Sequence, residues 1–215
     1  MSKPSGEGYS VETLIASLRR NGISDEPVLS AISRVPREAF VDAALASDAY
    51  ADEALPIACR QTISQPFVVA YMTQALELQP HHCVLEIGTG SGYQAAILSQ
   101  LCRQVRTIER YADLHRSASE RLSRLGYRNV LTKWGDGYAG WPEAAPFDRI
   151  LVTAAATELP KALLAQLAPD GVMVLPMGAS IADQYIHRLR NRGGAWDDEK
   201  LIAVRFVPML AGTAR

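Results

Sequence analysis

Val84-Leu85-Glu86-Ile87-Gly88-Thr89-Gly90-Ser91-Gly92 is an apolar run that ends in three alternating glycines, and residues 92 to 101 beyond it are again rich in apolar side chains. The run has the length of a buried strand, the glycines remove the Cβ atoms that would crowd a tight turn, and the segment beyond reads as a helix. Strand, glycine turn and helix in that order place a ligand crevice at the carboxyl end of the strand, where the backbone can approach a ligand closely.

The alternation continues outward. Val105 to Ile108 precedes a helix over 111 to 125, Val130 to Thr132 is a further short strand, and Ile150 to Thr153 precedes a helix over 159 to 167 and a strand at Val172 to Leu175. Strands and helices in alternation predict a parallel sheet covered on both faces. Tyr185 to Leu189 and Leu201 to Val207, separated by Gly193 and Gly194, predict a terminal antiparallel pair. Toward the N-terminus, Val11, Leu14, Ile15 and Leu18 give helical spacing over 10 to 20. A second helix capped by Ser24 carries Asp25 and Glu26 in its first turn and ends near Pro36. Residues 50 to 65 read as a loop before a helix with Val68, Met72, Ala75 and Leu76 on one face. The expected architecture is α/β, a doubly wound, mostly parallel, Rossmann-like sheet with N-terminal helices and a terminal antiparallel pair. Residues 1–80 form the helical region and loop and 81–215 the ligand-binding core, as one compact unit.

A chain of 215 residues with 48% hydrophobic and 21% charged side chains buries a sizeable core, which excludes global disorder. The 22 Lys and Arg against 23 Asp and Glu give a net charge of -1, with no bulk attraction to nucleic acid or to an anionic membrane. No apolar run approaches the roughly 18 residues of a membrane span. Met1 to Ser10 lacks a basic stretch followed by an apolar one, so a cytoplasmic protein without nucleic-acid or membrane partners is expected, as a monomer. Cys59, Cys83 and Cys102 have no CxxC or zinc-ligand spacing and predict reduced thiols. No metal is expected, because the adjacent His81 and His82 diverge, and Arg188, Arg190 and Arg192 read as a solvated strand face.

The crevice motif is GxGxG, with Tyr93 where a dinucleotide fingerprint has its third glycine. Glu86, two residues before the first glycine, repels a pyrophosphate but attracts the amino group of a methionine moiety, so S-adenosylmethionine fits better than NAD. Glu109 ends the second strand about 20 positions on, where such folds place an acid that accepts from ribose hydroxyls. Asp136, within Gly135-Asp136-Gly137, is placed to accept from an adenine amino group.

Val35 to Val41, Gln61-Thr62-Ile63-Ser64, Val84 to Gln94, Gly135 to Gly137, Phe147-Asp148, Val152 to Ala155 and Arg205-Phe206-Val207-Pro208 together make the chain resemble the protein-L-isoaspartate O-methyltransferases. The resemblance implies a class I S-adenosylmethionine-dependent methyltransferase that esterifies the α-carboxyl of L-isoaspartyl residues in damaged peptides and proteins, with S-adenosylhomocysteine as product. It implies catalytic roles for Ser64 and Thr62 on a substrate loop, and cofactor contacts at Glu86, Gly88, Gly90, Glu109, Asp136 and Gly137. Thr153 and the Arg205 to Pro208 segment, with Val207, would wall the substrate site. Three positions depart from the family pattern: Ala58 and Arg60 stand where glycines are usual before QTIS, and Ala156 stands where proline is common.

An acceptor carboxylate with a pKa of about 4 is already ionised at neutral pH and needs no general base. Placement by neutral hydroxyls is sufficient, which suits Ser64 and Thr62. Ser64 also stands where a helix N-cap is expected, before Pro66. The competing readings are a catalytically impaired S-adenosylmethionine-binding module, motivated by Ala58 and Arg60, and a methyltransferase for another substrate.

Overall fold

The computed structural model describes residues 9–215, so the reading that rested on residues 1–8 lies outside it. The chain opens with α1 (Val11–Arg20), where Ser10 and Thr13 cap each other's backbone amides and Leu14 and Leu18 are buried. α2 (Glu26–Arg34) follows. Its cap is Asp25, which accepts from Val28 N at 3.1 Å, and not the expected Ser24. The backbone amides of Ser24 and Asp25 both donate to Gln74 Oε1 at 2.9 Å, which fixes Ser24 one residue too early to cap.

Residues 50 to 65 are more ordered than a loop. β1 (Leu55–Pro56) and β2 (Thr62–Ile63) pair antiparallel with Leu55 opposite Ile63. Ile57 N donates to Gln61 O at 2.9 Å to close the hairpin. α3 (Pro66–Ala75) leaves the hairpin directly.

The main sheet is built from β3 (Cys83–Ile87), β4 (Gln104–Glu109), β5 (Val130–Trp134), β6 (Phe147–Val152), β7 (Leu167–Met177), β8 (Gln184–Arg192) and β9 (Ala195–Val204), in spatial order β5-β4-β3-β6-β7-β8-β9. The strands from β5 to β7 are parallel, and β8 and β9 add antiparallel at one edge. α4 (Tyr93–Ser99), α5 (Ala112–Arg124) and the short α6 (Lys161–Leu164) connect the parallel strands. Side chains of β3 alternate between two cores, as a period of two requires. Val84 joins α1, α2, α3 and α4 on one face, and Leu85 and Ile87 join Phe147, Ile150 and Leu163 on the other.

Two boundaries differ from the sequence reading. The helix expected over 159 to 167 stops at Leu164, because Leu167 already pairs with Phe147 and Asp170 turns the chain at a φ of 58°. β9 starts at Ala195 rather than Leu201, its first half carrying exposed polar residues that give no apolar signal, and it ends at Val204. Arg205 to Val207 leaves the strand and crosses to the centre of the sheet, where Ala155 N donates to Val207 O at 2.8 Å.

Candidate active site

Strand order reverses between β3 and β6, which leaves a crevice at their carboxyl ends. Gly88 follows β3 there and Thr153 follows β6. Thr153 N donates to Ile87 O at 2.9 Å, and its hydroxyl lies 2.9 Å from Ile87 O and 2.8 Å from Gly88 O. Gly88 has a φ of +97°, and a Cβ on it would sit 2.3 Å from Thr153 Oγ1. Only glycine lets the two strand ends approach in this way.

Four amides of the glycine turn are committed. Gly88 N and Thr89 N donate to Ile108 O, Gly92 N to Thr89 O, and Gly90 N to Glu109 Oε2 at 2.8 Å. A pyrophosphate needs free N–H groups at this turn, and it meets a carboxylate instead. Glu109 is 4% exposed and also accepts from Tyr111 N at 2.9 Å. It lines the cavity, and each carboxylate oxygen keeps acceptor capacity beyond the one amide bond it makes.

Two cavities meet at the crevice. The first, of about 340 Å³, is lined by the glycine turn, Glu109, Tyr111, Gly137 and the hairpin residues Arg60 to Ser64. The second, of about 500 Å³, lies between Phe67 and Val68 of α3, Gln184 of β8 and the Val204 to Val207 stretch that includes Arg205. Thr62, Ser64, Thr153 and Val207 line both. Four residues from three separate stretches of sequence thus form the wall between a nucleoside-sized cavity and an open groove.

The structure brings together most of the expected site residues, but Glu86 and Asp136 are not on the cavity wall. Glu86 points to the sheet face opposite Ile87, is 0% exposed, and neither carboxylate oxygen has a hydrogen-bond partner among the described residues. Burial pushes its carboxyl up to about 8, opposed by the Thr107 hydroxyl and reinforced by Glu109. Asp136 accepts from Tyr138 N at 2.9 Å and from Gly212 N at 2.8 Å, tying the C-terminal tail to the turn before Gly137. Gly137 itself lines the cavity, and a Cβ there would lie 2.5 Å from Ile87 Cγ2.

Ser64 does not cap α3; Gln65 occupies the cap position without a side-chain bond, and Phe67 N donates to Asp52. At the departures from the family pattern, Arg60 adopts the left-handed φ of 58° that a glycine would favour, and so does Cys59 at 57°. Burial together with Asp113 and Glu109 raises the Cys59 thiol, so it is not activated. Two of the three arginines of β8 are paired rather than only solvated: Arg188 and Arg190 meet Glu77, and Arg188 also meets Glu199.

Sequence reasoning missed Tyr111, Phe67, Val68 and Gln184 as lining residues. Tyr111 was legible only through its place just after Glu109. Gln184 carried no signal, because its use appears when its amide pairs with both Phe206 N at 2.6 Å and Phe206 O at 3.2 Å across two distant segments.

The strand order, the switch-point cavity and the GxGxG turn define the class I S-adenosylmethionine-dependent methyltransferase fold. Residues 9–214 match the family described as Protein-L-isoaspartate(D-aspartate) O-methyltransferase (PCMT), and the chain belongs to that family. The protein-L-isoaspartate O-methyltransferase of Rhodospirillum rubrum is 58% identical over 201 residues, covering 93% of this chain and 92% of the relative. That of Parvibaculum lavamentivorans is 52% identical over 100% of this chain and 97% of its own. A solved protein-L-isoaspartate O-methyltransferase, 29% identical, superposes over 93% of this chain with a TM-score of 0.83, and this chain spans 65% of that one. A Plasmodium falciparum PCMT crystallised in complex with S-adenosyl-L-homocysteine is 25% identical, with a TM-score of 0.83 over 95% of this chain and 99% of its own.

Proposed function

We propose that this chain transfers the methyl group of S-adenosylmethionine to the α-carboxyl of L-isoaspartyl residues in damaged peptides and proteins, initiating their repair. The observation that carries the reading is the shared wall of Thr62, Ser64, Thr153 and Val207 between the two cavities. A methyl donor in the first and a peptide in the second meet at a wall that carries three hydroxyls, those of Thr62, Ser64 and Thr153, beside Val207.

The first cavity suits the donor. Its glycine turn is tight enough to exclude a Cβ at Gly88, it has four of its amides already bonded and so offers a poor cradle to a pyrophosphate, and Glu109 is an acceptor for ribose hydroxyls. Glu86 lies beneath the turn as an unpartnered carboxyl that attracts the donor's positive charge once ionised, without touching it. Gly88, Gly90 and Gly137 give close backbone approach, and Asp136 holds the turn at the adenine end through Tyr138 and Gly212. Bound S-adenosylmethionine supplies an electrophilic methyl carbon on a sulfonium sulfur.

Ser64 and Thr62 orient the acceptor. Their hydroxyls donate to one oxygen of the ionised carboxylate, leaving the other in line with the methyl group, and add no charge that would quench the nucleophile. Thr153 fixes the turn between donor and acceptor, and Val207 completes the shared wall. Arg205, exposed on the second cavity, attracts further carboxylates of the peptide. The left-handed backbone kept at Arg60 argues against an impaired loop.

We take the protein to act as a cytoplasmic monomer without a nucleic-acid partner. The net charge of -1 supports the lack of a nucleic-acid partner, and among the described residues no helix is long and apolar enough to cross a membrane.

The test uses labelled S-adenosylmethionine and two peptides that differ only in L-isoaspartate against L-aspartate. Label should enter only the first, as a base-labile ester; equal labelling of both, or of neither, refutes the reading. Ser64→Ala should remove a hydrogen bond to a charged group, about 1.5 to 3 kcal/mol or roughly 10- to 150-fold in kcat/KM. Its melting temperature should scarcely move, since Ser64 caps nothing.

A further inference from the structure

Ser64 precedes Phe67 by three residues, the spacing of a serine cap to the amide it bonds, although α3 begins at Pro66 with Gln65 at its cap position, so that Phe67 N is the amide of the second helical position. That amide is already taken. Phe67 N donates to Asp52 Oδ1 at 2.8 Å, from a side chain 15 positions earlier in the sequence. Asp52 is held in place by its neighbours: the fully buried Arg37 guanidinium donates to Ala49 O at 2.8 Å and Glu53 O at 3.2 Å, bracketing it on both sides. Arg37 also lies over the Tyr93 ring, 4.9 Å from its centroid, so the segment carrying Asp52 is anchored to the wall of the first cavity.

We propose that Asp52 is a positioning residue for methyl transfer. By capping α3 from a distant segment it relieves Ser64 of the capping bond its sequence position invites, and leaves that hydroxyl to the acceptor carboxylate between the two cavities. The inference rests on the isoaspartyl methyltransferase reading and deepens it. Without Asp52, Phe67 N loses its acceptor, and the hydroxyl of Ser64, three residues before it, turns from the substrate to the helix.

The experiment is a double-mutant cycle on the full chain, with kcat and KM measured on an isoaspartyl peptide and donor affinity measured by calorimetry. Asp52→Ala should lower kcat/KM about 5- to 10-fold, the weight of a cap bond, while leaving donor affinity unchanged. Asp52→Asn keeps an acceptor oxygen and should stay within about twofold of wild type. In a Ser64→Ala background, Asp52→Ala should cost nothing further in kcat/KM, although it still lowers the melting temperature. Equal losses in both backgrounds, a wild-type rate for Asp52→Ala, or failure of asparagine to rescue each overturn the assignment. Should Asp52→Ala not fold, Asp52→Ser, too short to reach Phe67, decides by the same comparisons. A wild-type protein that methylates neither peptide refutes the underlying reading, and the inference with it.

Discussion

Replacing Gly88 by alanine tests the geometry at the centre of the site. The φ of +97° is outside the range an L side chain adopts easily, a strain of about 1 to 3 kcal/mol. The new Cβ would lie 2.3 Å from Thr153 Oγ1, which must rotate away and give up its bond to Ile87 O or Gly88 O, a further 0.5 to 1.5 kcal/mol or about that. The sum is on the order of 3 kcal/mol, and at roughly 2 to 4 °C per kcal/mol for a chain of this size the melting temperature should fall by about 6 to 12 °C. Donor binding should weaken as well, since Gly88 and Thr153 both line its cavity. Thr153→Ala on its own loses the same hydroxyl bond. Combined with Gly88→Ala it should be less destabilising than the two single changes added, by about 1 kcal/mol, because the hydroxyl bond is lost once and the clash is gone. Calorimetric melting of the four proteins gives the coupling. A Gly88→Ala protein that melts within a degree of wild type, or strict additivity of the pair, refutes the close approach described for these two strand ends.

The buried Glu86 predicts a pH dependence. Its pKa stands near 8 in the native state against an ordinary 4.5, so its contribution to stability is fully present below about pH 4.5 and is lost as pH rises through 8. The advantage of Glu86→Gln over wild type in urea unfolding should therefore grow between pH 5 and pH 9; parallel profiles would remove Glu86 as a titrating group. A cation bound above the turn lowers that pKa, so donor binding near pH 7 should release a proton, seen as a dependence of the calorimetric heat on buffer ionisation. Asp136→Ala removes the acceptor for Tyr138 N and Gly212 N and so loosens the tail whose Leu210 lines the donor cavity. Donor affinity should fall about fivefold, the equivalent of a cap bond of roughly 1 kcal/mol, and the peptide KM should not move; unchanged affinity removes Asp136 from the site.

The sequence alone determined the sheet core and the glycine turn, because buried strands and alternating glycines announce themselves within a few consecutive residues. β3, β4 and the helices that follow them lie where local periodicity put them. Gly137, Thr62 and Ser64 were named from short motifs and Glu109 from its spacing after the glycine turn, and all line the first cavity. What local pattern could not supply was direction and partnership. Glu86 belongs to the motif yet faces away from the cavity, since a strand sends alternate side chains to opposite faces and only the packing says which face is which. The first half of β9 is polar and exposed and is a strand only because β8 pairs with it. Ser64 had the right spacing for a cap, and it took a carboxylate brought from 12 residues before it, held by a buried arginine, to decide that the helix is capped by Asp52. Such contacts depend on loop closure and tertiary packing, in which residues far apart in sequence compete for the same amide, so only the folded chain decides them.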